Sequence, residues 1–174
     1  SSIPVVVATH GMTLGGGCEI ALHADHVQAS AETYIGLVEF GVGIIPGGAG
    51  SKEMAVRASE GLLKDDVKLN KLRDYFITVA MAKVATSAHE AYDVGFLKEH
   101  KDIVIVNKNR QLATAKRHAV LMLEDGYTQP VPKQVKVLGQ QALGMFLVGT
   151  DSLEKGHYAS EHDKKMANKL GYVM

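Results

Sequence analysis

The stretch that decides the fold reads VVVATHGMTLGGGCEIALHA and spans residues 5–24. Its first four residues, 5–8, are uniformly apolar, which is typical of a buried parallel strand. Residues 10–13 are predicted to turn the chain. Three successive glycines at 15–17 then lead into a short apolar helix over residues 18–24. A strand, a glycine-rich turn and a helix in this order predict an α/β protein.

Outward from this stretch, the pattern predicts further short strands at residues 27–31, 33–36 and 103–106. Residues 41–50 are predicted to form a glycine-rich loop, and the polar residues 61–72 an exposed connection or a short helix. Helices are predicted at residues 51–59, 73–84, 87–95, 107–124, 134–148 and 160–170. Ser51 is a candidate cap for the first of these helices, and Ser87 with Glu90 is a candidate capping box for the third, which is expected to end at Gly95. We therefore expect two parts, an α/β core over residues 1–106 and a helical region over residues 107–174.

Composition excludes several classes of protein. The 174 residues suffice for one ordinary domain, and 19 basic residues balance 19 acidic ones at a pI of about 7.1. No global positive field favours nucleic acid or an anionic membrane, and no apolar run approaches the ~20 residues of a membrane span. The single cysteine excludes an intrachain disulfide and is compatible with a reducing compartment. We expect a cytoplasmic protein with no nucleic-acid partner and no membrane span.

Two glutamates stand beside glycine-rich loops. Glu19 follows the glycines at 15–17, and Glu39 opens the segment EFGVGIIPGGAG at residues 39–50. Either acid alone is more often structural, Glu19 as a charge at a helix start and Glu39 as a solvated loop carboxylate. Together they form a candidate pair that can share a proton, activate a water and deliver a proton to carbon.

The glycines at 15–17 allow a ligand to touch the backbone because they carry no β-carbon. The helix that follows would aim its N–H groups and the positive end of its dipole at the same spot. A developing negative oxygen would be stabilised there, at ~2.7–4 kcal/mol for each preorganised donor. A phosphate cradle is the weaker interpretation, since neither Gly-Lys-Ser/Thr nor G-x-G-x-x-G occurs. Close packing of helix on sheet remains the structural alternative.

Other candidates are weaker. His23, Asp25 and His26 are candidate metal ligands, but the sequence lacks the H-E-x-x-H motif and the helix is predicted to end at these residues. We therefore expect no bound metal. Cys18 is expected to be a small buried residue, because no histidine stands beside it in the sequence. The apolar segment at residues 138–148 is interpreted as core or as an oligomer contact.

Three segments, in order, carry a family resemblance: HGMTLGGGCEIAL at residues 10–22, IGLVE at 35–39 and GIIPGGAG at 43–50. Together they resemble the crotonase (enoyl-CoA hydratase/isomerase) superfamily over residues 4–106. The segment LGQQALGMFLVGT at residues 138–150 resembles the crotonase-type part of bifunctional 3-hydroxyacyl-CoA dehydrogenases of fatty-acid β-oxidation. The resemblance implies the C-terminal portion of a crotonase-like ββα spiral fold with a helical C-terminal region.

The resemblance also implies roles for individual residues. Glu19 and Glu39 fall on the two acid/base glutamates, and Gly16 falls on the glycine whose N–H forms half of the oxyanion hole. It further implies substrate contacts for Leu14, Gly15, Gly17 and Gly47. The implied reaction is the syn addition of water to a 2-trans-enoyl-CoA thioester. The sequence departs from the family pattern at residues 46–50, which read PGGAG instead of PGAGG, and at Val38, where proline is usual.

The family's first half precedes the matched segments, so we expect this chain to be a piece truncated at both ends, with little or no hydratase activity by itself. No cofactor is expected within it; NAD would bind in an upstream region of the longer protein. Intact relatives form trimers or hexamers, which implies a homo-oligomer. Two alternatives stay open: an enoyl-CoA isomerase that relies on Glu39, and a non-catalytic oligomerisation module built on the apolar helical tail.

Overall fold

The computed structural model describes residues 2–60, 67–132, 135 and 137–174. Within these ranges the chain forms seven α-helices and two three-stranded sheets, the α/β architecture that the sequence predicts. The chain divides into two compact units, Ser1–Gly36 with Val84–Lys133, and Leu37–Lys83 with Gln134–Met174. We call them the sheet unit and the helical unit. The first half of the predicted connection at 61–72, residues 61–66, lies outside the described residues, which resume at Val67.

The first sheet of the sheet unit is parallel. It is formed in the order β1, β3, β6 by Val6–Val7, His26–Ser30 and Ile103–Ile105. All five residues of β3 are buried, as expected for the central strand of a parallel sheet. Helix α5, Gln111–Glu124, packs on β1 and β3. The buried Gln111 amide donates to the carbonyl oxygens of Thr9 (2.6 Å) and Gln28 (2.8 Å), so the first turn of α5 is fixed to the sheet.

The second sheet contains two strands that the sequence analysis missed, one at residues 11–14 and one at residues 84–85, where a helix was predicted to end. It is formed in the order β2, β4, β5 by Gly11–Leu14, Thr33–Gly36 and Val84–Ala85. Residues 10–13 were predicted to be a turn, but β2 pairs in parallel with β4 along its whole length, from Gly11 opposite Thr33 to Leu14 opposite Gly36. A parallel partner lies far away in sequence, so local composition gave no signal for this strand.

Two short helices complete the sheet unit. Helix α1 is Gly16–His23, and α4 is Glu90–Val94. The end of α4 is as predicted, because Gly95 has a φ of 92° and the left-handed conformation that glycine adopts without strain. At the start of α4, Ser87 Oγ accepts from the Glu90 N–H (3.1 Å), while the Glu90 carboxylate accepts from Thr86. The predicted capping box is therefore made in part.

The helical unit is built from four helices. They are α2 (Gly50–Ser59), α3 (Lys68–Ala80), α6 (Gln140–Lys155) and α7 (Glu161–Val173). Helix α6 packs against α7, α2 packs against α3, and α7 also contacts α2 and α3. The rings of Phe76 and Phe146 stack at a centroid distance of 4.2 Å, and both side chains are buried. The apolar segment at 138–148 therefore contributes buried side chains to the core of this unit, which confirms the first of the two interpretations given for it.

Several helix boundaries differ from the predictions. Helix α3 begins at Lys68, and α6 continues to Lys155. Ser51 does not cap α2, because the helix already begins at Gly50 and the buried Ser51 hydroxyl donates to the Pro46 carbonyl (3.1 Å). The predicted start of a helix at Ser160 is confirmed by a full capping box with Asp163.

No helix in the described ranges combines the length and the apolar character needed to cross a membrane. The predicted boundary at residue 106 stays a prediction.

Candidate active site

The glycine-rich turn joins β2 to α1 in the sheet unit. Gly15 stands between them with φ 54° and ψ −123°, a conformation that a side chain would strain. Its N–H donates to the Gly36 carbonyl at the end of β4 (2.9 Å). The parallel pairing of Leu14 with Gly36 continues into this bond, so the turn is held at the edge of the sheet.

The start of α1 is open to a ligand. Gly16 and Gly17 are exposed, and no side chain in the described part of the chain caps the helix. A β-carbon placed on Gly16 would meet no described atom within 4 Å, and one on Gly17 would meet only the Thr13 methyl at 4.0 Å. The first N–H groups of a helix have no acceptor within the helix and carry its positive dipole end. This helix start can therefore receive a negatively charged oxygen.

Glu19 lies in the first turn of the same helix and is 8% exposed. Its neighbours Cys18, Ala21 and Leu22 are also buried, so the predicted burial of Cys18 is confirmed. The backbone N–H and the backbone carbonyl of Glu19 both have hydrogen-bond partners. Its N–H donates to the Gly15 carbonyl (3.0 Å), and its own carbonyl lies 2.7 Å from Nδ1 of His23. The structure thus places a buried carboxylate on the helix whose start is exposed.

Glu39 lies in the helical unit, where it opens the 3-10 turn Glu39–Val42. The residue two before it, Leu37, is fully buried and anchors the turn. Glu39 itself is half-buried, and its Oε2 atom is enclosed by protein. Its carbonyl accepts from the Ile44 N–H (3.2 Å), and Gly43 has a φ of 85° where the turn ends. The turn therefore has a defined backbone around the acid.

The loop after Glu39 is anchored at two further points. The carbonyl oxygen of Gly43 lies 2.9 Å from Nε2 of His162 on α7. Pro46 is buried, and its carbonyl accepts from the Ser51 hydroxyl. Gly47 is exposed, and a β-carbon there would meet no described atom within 4 Å. The loop thus presents an open glycine between fixed ends.

Of the predicted site residues, one group is brought together within the sheet unit, at the junction of β2 with α1: Leu14, Gly15, Gly16, Gly17 and Glu19. Glu39 and Gly47 belong to the helical unit. Along the chain, Glu39 follows Gly36 by three residues, and Gly36 is the residue whose carbonyl holds the glycine turn.

The residues considered for a metal site have other contacts. His23 contacts the Glu19 carbonyl, and Asp25 accepts from the Val5 N–H (2.8 Å). The buried His26 contacts the Lys101 carbonyl through Nδ1 at 2.5 Å. Among the described residues, no three histidine, cysteine, aspartate or glutamate side chains gather in a way that could hold a metal ion.

Sequence reasoning missed two contacts of histidines. His162 on α7 contacts Gly43, which lies 119 residues away in the sequence. The rings of His26 and His118 stack at a centroid distance of 3.7 Å. Burial lowers the pKa of the His118 imidazole, and the nearby His26 lowers it further. Neither contact leaves a local pattern in the sequence, because each joins elements that meet only on folding.

Comparison with known proteins identifies the family. The sequence model described as enoyl-CoA hydratase/isomerase matches residues 1–60, which include both glutamates and both glycine-rich loops. A probable 3-hydroxyacyl-CoA dehydrogenase of Bacillus subtilis (strain 168) is 44% identical over all 174 residues, and the chain covers 22% of that protein. A protein of Rickettsia prowazekii (strain Madrid E) named as a fatty acid oxidation complex trifunctional enzyme is 37% identical over 84 residues, 44% of this chain and 12% of that protein.

The fold of the chain agrees with this family match. The 1.8 Å crystal structure of enoyl-CoA hydratase from Bacillus anthracis matches with a TM-score of 0.53 and 21% identity, over 97% of this chain and 52% of that chain. The chain thus spans about half of that hydratase and about a fifth of the Bacillus subtilis relative. The three motifs and the family match place residues 1–60 in the crotonase (enoyl-CoA hydratase/isomerase) superfamily, and the fold of the chain is that of a solved enoyl-CoA hydratase.

Proposed function

We propose that the complete protein in which this sequence occurs hydrates 2-trans-enoyl-CoA to 3-hydroxyacyl-CoA in fatty-acid β-oxidation, with Glu19 and Glu39 as the acid/base pair. One observation carries the proposal: the buried Glu19 lies in the first turn of α1, two residues after the exposed helix start at Gly16 and Gly17. This arrangement, together with Glu39, lies within the segment that matches the hydratase/isomerase family. The name of the Rickettsia relative supports the pathway.

The chemistry follows from these groups. One carboxylate takes a proton from water as the hydroxyl oxygen bonds to C3 of the enoyl group. The electrons of the double bond move to the thioester oxygen, which becomes an enolate. A protonated carboxyl then delivers its proton to C2, so that one water is added in total. Syn addition requires the hydroxyl oxygen and the proton to reach the same face of the double bond.

The enolate oxygen would be held by the N–H of Gly16 at the start of α1. A preorganised donor of this kind is typically worth ~2.7–4 kcal/mol in the transition state. We propose substrate contacts for Leu14, Gly15 and Gly17, which flank this donor at the β2–α1 junction, and for the exposed Gly47.

The experiment is substitution of each acid in the complete protein, with crotonyl-CoA hydration as the measurement. Glu19→Gln and Glu39→Gln should each lower kcat by roughly 10²–10⁴-fold, the usual contribution of general acid–base catalysis. Glu32→Gln is the matched control, because Glu32 is an exposed acid between β3 and β4. Hydration that survives both acid variants would contradict the proposal.

The same variants separate the two alternatives. If the complete protein shifts the double bond without hydrating crotonyl-CoA, and that shift survives Glu19→Gln but not Glu39→Gln, the protein is an isomerase. If the complete protein binds no acyl-CoA thioester, the chain is a non-catalytic oligomerisation module. We propose a homotrimer or hexamer as the oligomeric state; sedimentation of the complete protein tests it.

The name of the Bacillus subtilis relative supports a second activity for the complete protein. The hydration product, a 3-hydroxyacyl-CoA, is the substrate of a 3-hydroxyacyl-CoA dehydrogenase. We propose that NAD binds to a region outside residues 1–174, because no G-x-G-x-x-G motif occurs within them. Reduction of NAD with 3-hydroxybutyryl-CoA as substrate tests this activity, and unchanged NAD would contradict it.

A further inference from the structure

The backbone of Glu39 is linked to a distant side chain through a single peptide group, the one that joins Gly43 to Ile44. The carbonyl oxygen of this group lies 2.9 Å from Nε2 of His162, and its N–H donates to the Glu39 carbonyl (3.2 Å). A carbonyl only accepts, so Nε2 carries the hydrogen. Hydrogen bonds in a chain polarise one another, so a peptide group that accepts at its oxygen donates more strongly at its nitrogen. His162 therefore acts on the backbone of Glu39 through two consecutive hydrogen bonds.

The imidazole ring also packs against Gly43, the residue that ends the turn. A β-carbon on Gly43 would lie 3.5 Å from Nε2 and 3.9 Å from Cδ2 of His162, which is van der Waals contact. The ring therefore stands directly beside the open side of the glycine. Gly43 has a φ of 85°, a left-handed conformation that glycine adopts without strain. His162 thus both bonds to and packs against the end of the turn that carries Glu39.

The helix start that carries His162 is held by contacts on both sides of it in the sequence. In the capping box of α7, Ser160 Oγ accepts from the Asp163 N–H (3.1 Å), and the Asp163 carboxylate accepts from the Ser160 N–H (2.9 Å). Lys164 then pairs with Asp151 of α6 at 2.6 Å. A side chain positions another group well only when its own base is fixed. These contacts give the His162 ring a fixed base from which to reach Gly43.

We propose that His162 is a positioning residue of the reaction, which holds the backbone at Glu39 so that its carboxyl group meets the enoyl thioester in the geometry needed for proton transfer. The inference rests on the proposed function, since it requires Glu39 to transfer a proton. His162 acts through the peptide group between Gly43 and Ile44 and needs no contact with the substrate. A misplacement of about 1 Å at the reacting groups can cost ~10²-fold in rate. An exposed hydrogen bond that adds little to stability can therefore matter to turnover.

Steady-state kinetics of crotonyl-CoA hydration by the complete protein test the proposal. His162→Leu keeps an apolar group at this position but removes the donor. It should lower kcat about tenfold and leave KM within about twofold, because the lost contact acts on the reacting acid and not on substrate binding. His162→Gln places an amide N–H near the position of Nε2 and should bring kcat back to within about threefold of the original. Lys165→Leu, at an exposed position of the same helix, is the matched control and should change neither parameter.

Two further measurements on the same proteins separate positioning from a purely structural role. Hydrogen exchange over residues 39–45, followed by mass spectrometry, should be faster in His162→Leu and slow again in His162→Gln. The urea midpoint of His162→Leu should stay close to that of Lys165→Leu. A loss of kcat that follows a lower urea midpoint would make His162 a structural residue only.

The outcomes also distinguish this proposal from the proposed function. Full kcat in His162→Leu, or a kcat in His162→Gln as low as in His162→Leu, would overturn the positioning role in a protein that hydrates crotonyl-CoA. A complete protein that shifts the double bond but does not hydrate would refute the hydratase, and the same variants would then test the positioning of Glu39 for that shift. A protein that performs neither reaction would refute both proposals.

Discussion

Nε2 of His162 lies 2.9 Å from the carbonyl oxygen of Gly43, and this contact ties helix α7 to the glycine-rich loop that follows Glu39. A carbonyl only accepts, so the imidazole must donate through Nε2. Gly43 directly follows the 3-10 turn Glu39–Val42, so the end of this turn contacts a residue 119 positions away.

We predict that His162→Ala loosens this turn. The chain should lose about 1 kcal/mol or less of stability, because His162 is exposed and an exposed hydrogen bond contributes little. The local effect should be larger: the Ile44 N–H, which bonds to the Glu39 carbonyl, should exchange faster with solvent. Hydrogen exchange followed by NMR measures it. Lys169→Ala, at an exposed position of α7, should leave that exchange rate unchanged. Equal exchange in both variants would show that the contact does not hold the turn.

Gly171→Ala should destabilise the helical unit. A β-carbon on Gly171 would lie 3.0 Å from Cδ2 and 3.2 Å from Cβ of Phe146. Phe146 is buried and stacked on Phe76, so it has little room to move. Overpacking typically costs about 1–3 kcal/mol, which exceeds the ~1 kcal/mol that alanine gains over glycine in a helix. Urea unfolding measures the difference.

The control for that prediction is Gly149→Ala in helix α6. A β-carbon there would meet no described atom within 4 Å, so only the gain in helix propensity remains. Gly149→Ala should therefore raise stability by up to ~1 kcal/mol. If both alanine variants are stabilised, the contact between Gly171 and Phe146 does not constrain the packing of α7 on α6.

The sheet unit should lose stability as the pH falls below about 6.5, the pKa of an unperturbed histidine. Burial lowers the pKa of His118 in the folded state, and the charge of the stacked His26 lowers it further. The unfolded chain therefore binds a proton more readily than the folded one, and acid favours unfolding. The contribution is fully present above the unfolded pKa and is lost on acidification.

Comparing urea unfolding at pH 7.5 and pH 5.5 tests this. His118→Phe should weaken the pH dependence, because phenylalanine can stack on His26 without titrating. His10→Gln removes an exposed histidine of the same unit and should leave the pH dependence as it is. A His118→Phe variant with the original pH dependence would assign the effect to other groups.

Gly16→Ala should separate a functional role of the glycine turn from a structural one. The added methyl would meet no described atom within 4 Å, so we expect stability to be unchanged or slightly higher. The same methyl would stand where the thioester oxygen must approach the helix start. We expect kcat/KM for crotonyl-CoA hydration to fall by roughly 10²-fold, the cost of a misplacement of about 1 Å. A variant with full activity would remove Gly16 from the proposed oxyanion hole.

The sequence determined the class of fold and the main site candidates because their signals are local. The apolar run and the three glycines at residues 15–17 predict a strand, a turn and a helix, and the structure has them. Gly95 marked the end of α4, and Ser160 marked the start of α7, since helix ends are specified by adjacent residues. Glu19 and Glu39 were identified from their neighbours in the same way.

Only the tertiary structure decided the features that join distant residues. Strand β2 exists because β4 offers it a parallel partner, although its own residues suggested a turn. The contact of His162 with Gly43 and the stack of His26 on His118 likewise join residues that are far apart in the sequence. A cavity beside Phe40 arises where α3, α6 and α7 meet around small side chains. Local propensity acts over a few residues, whereas pairing, long-range contacts and cavities depend on which surfaces meet in the folded chain.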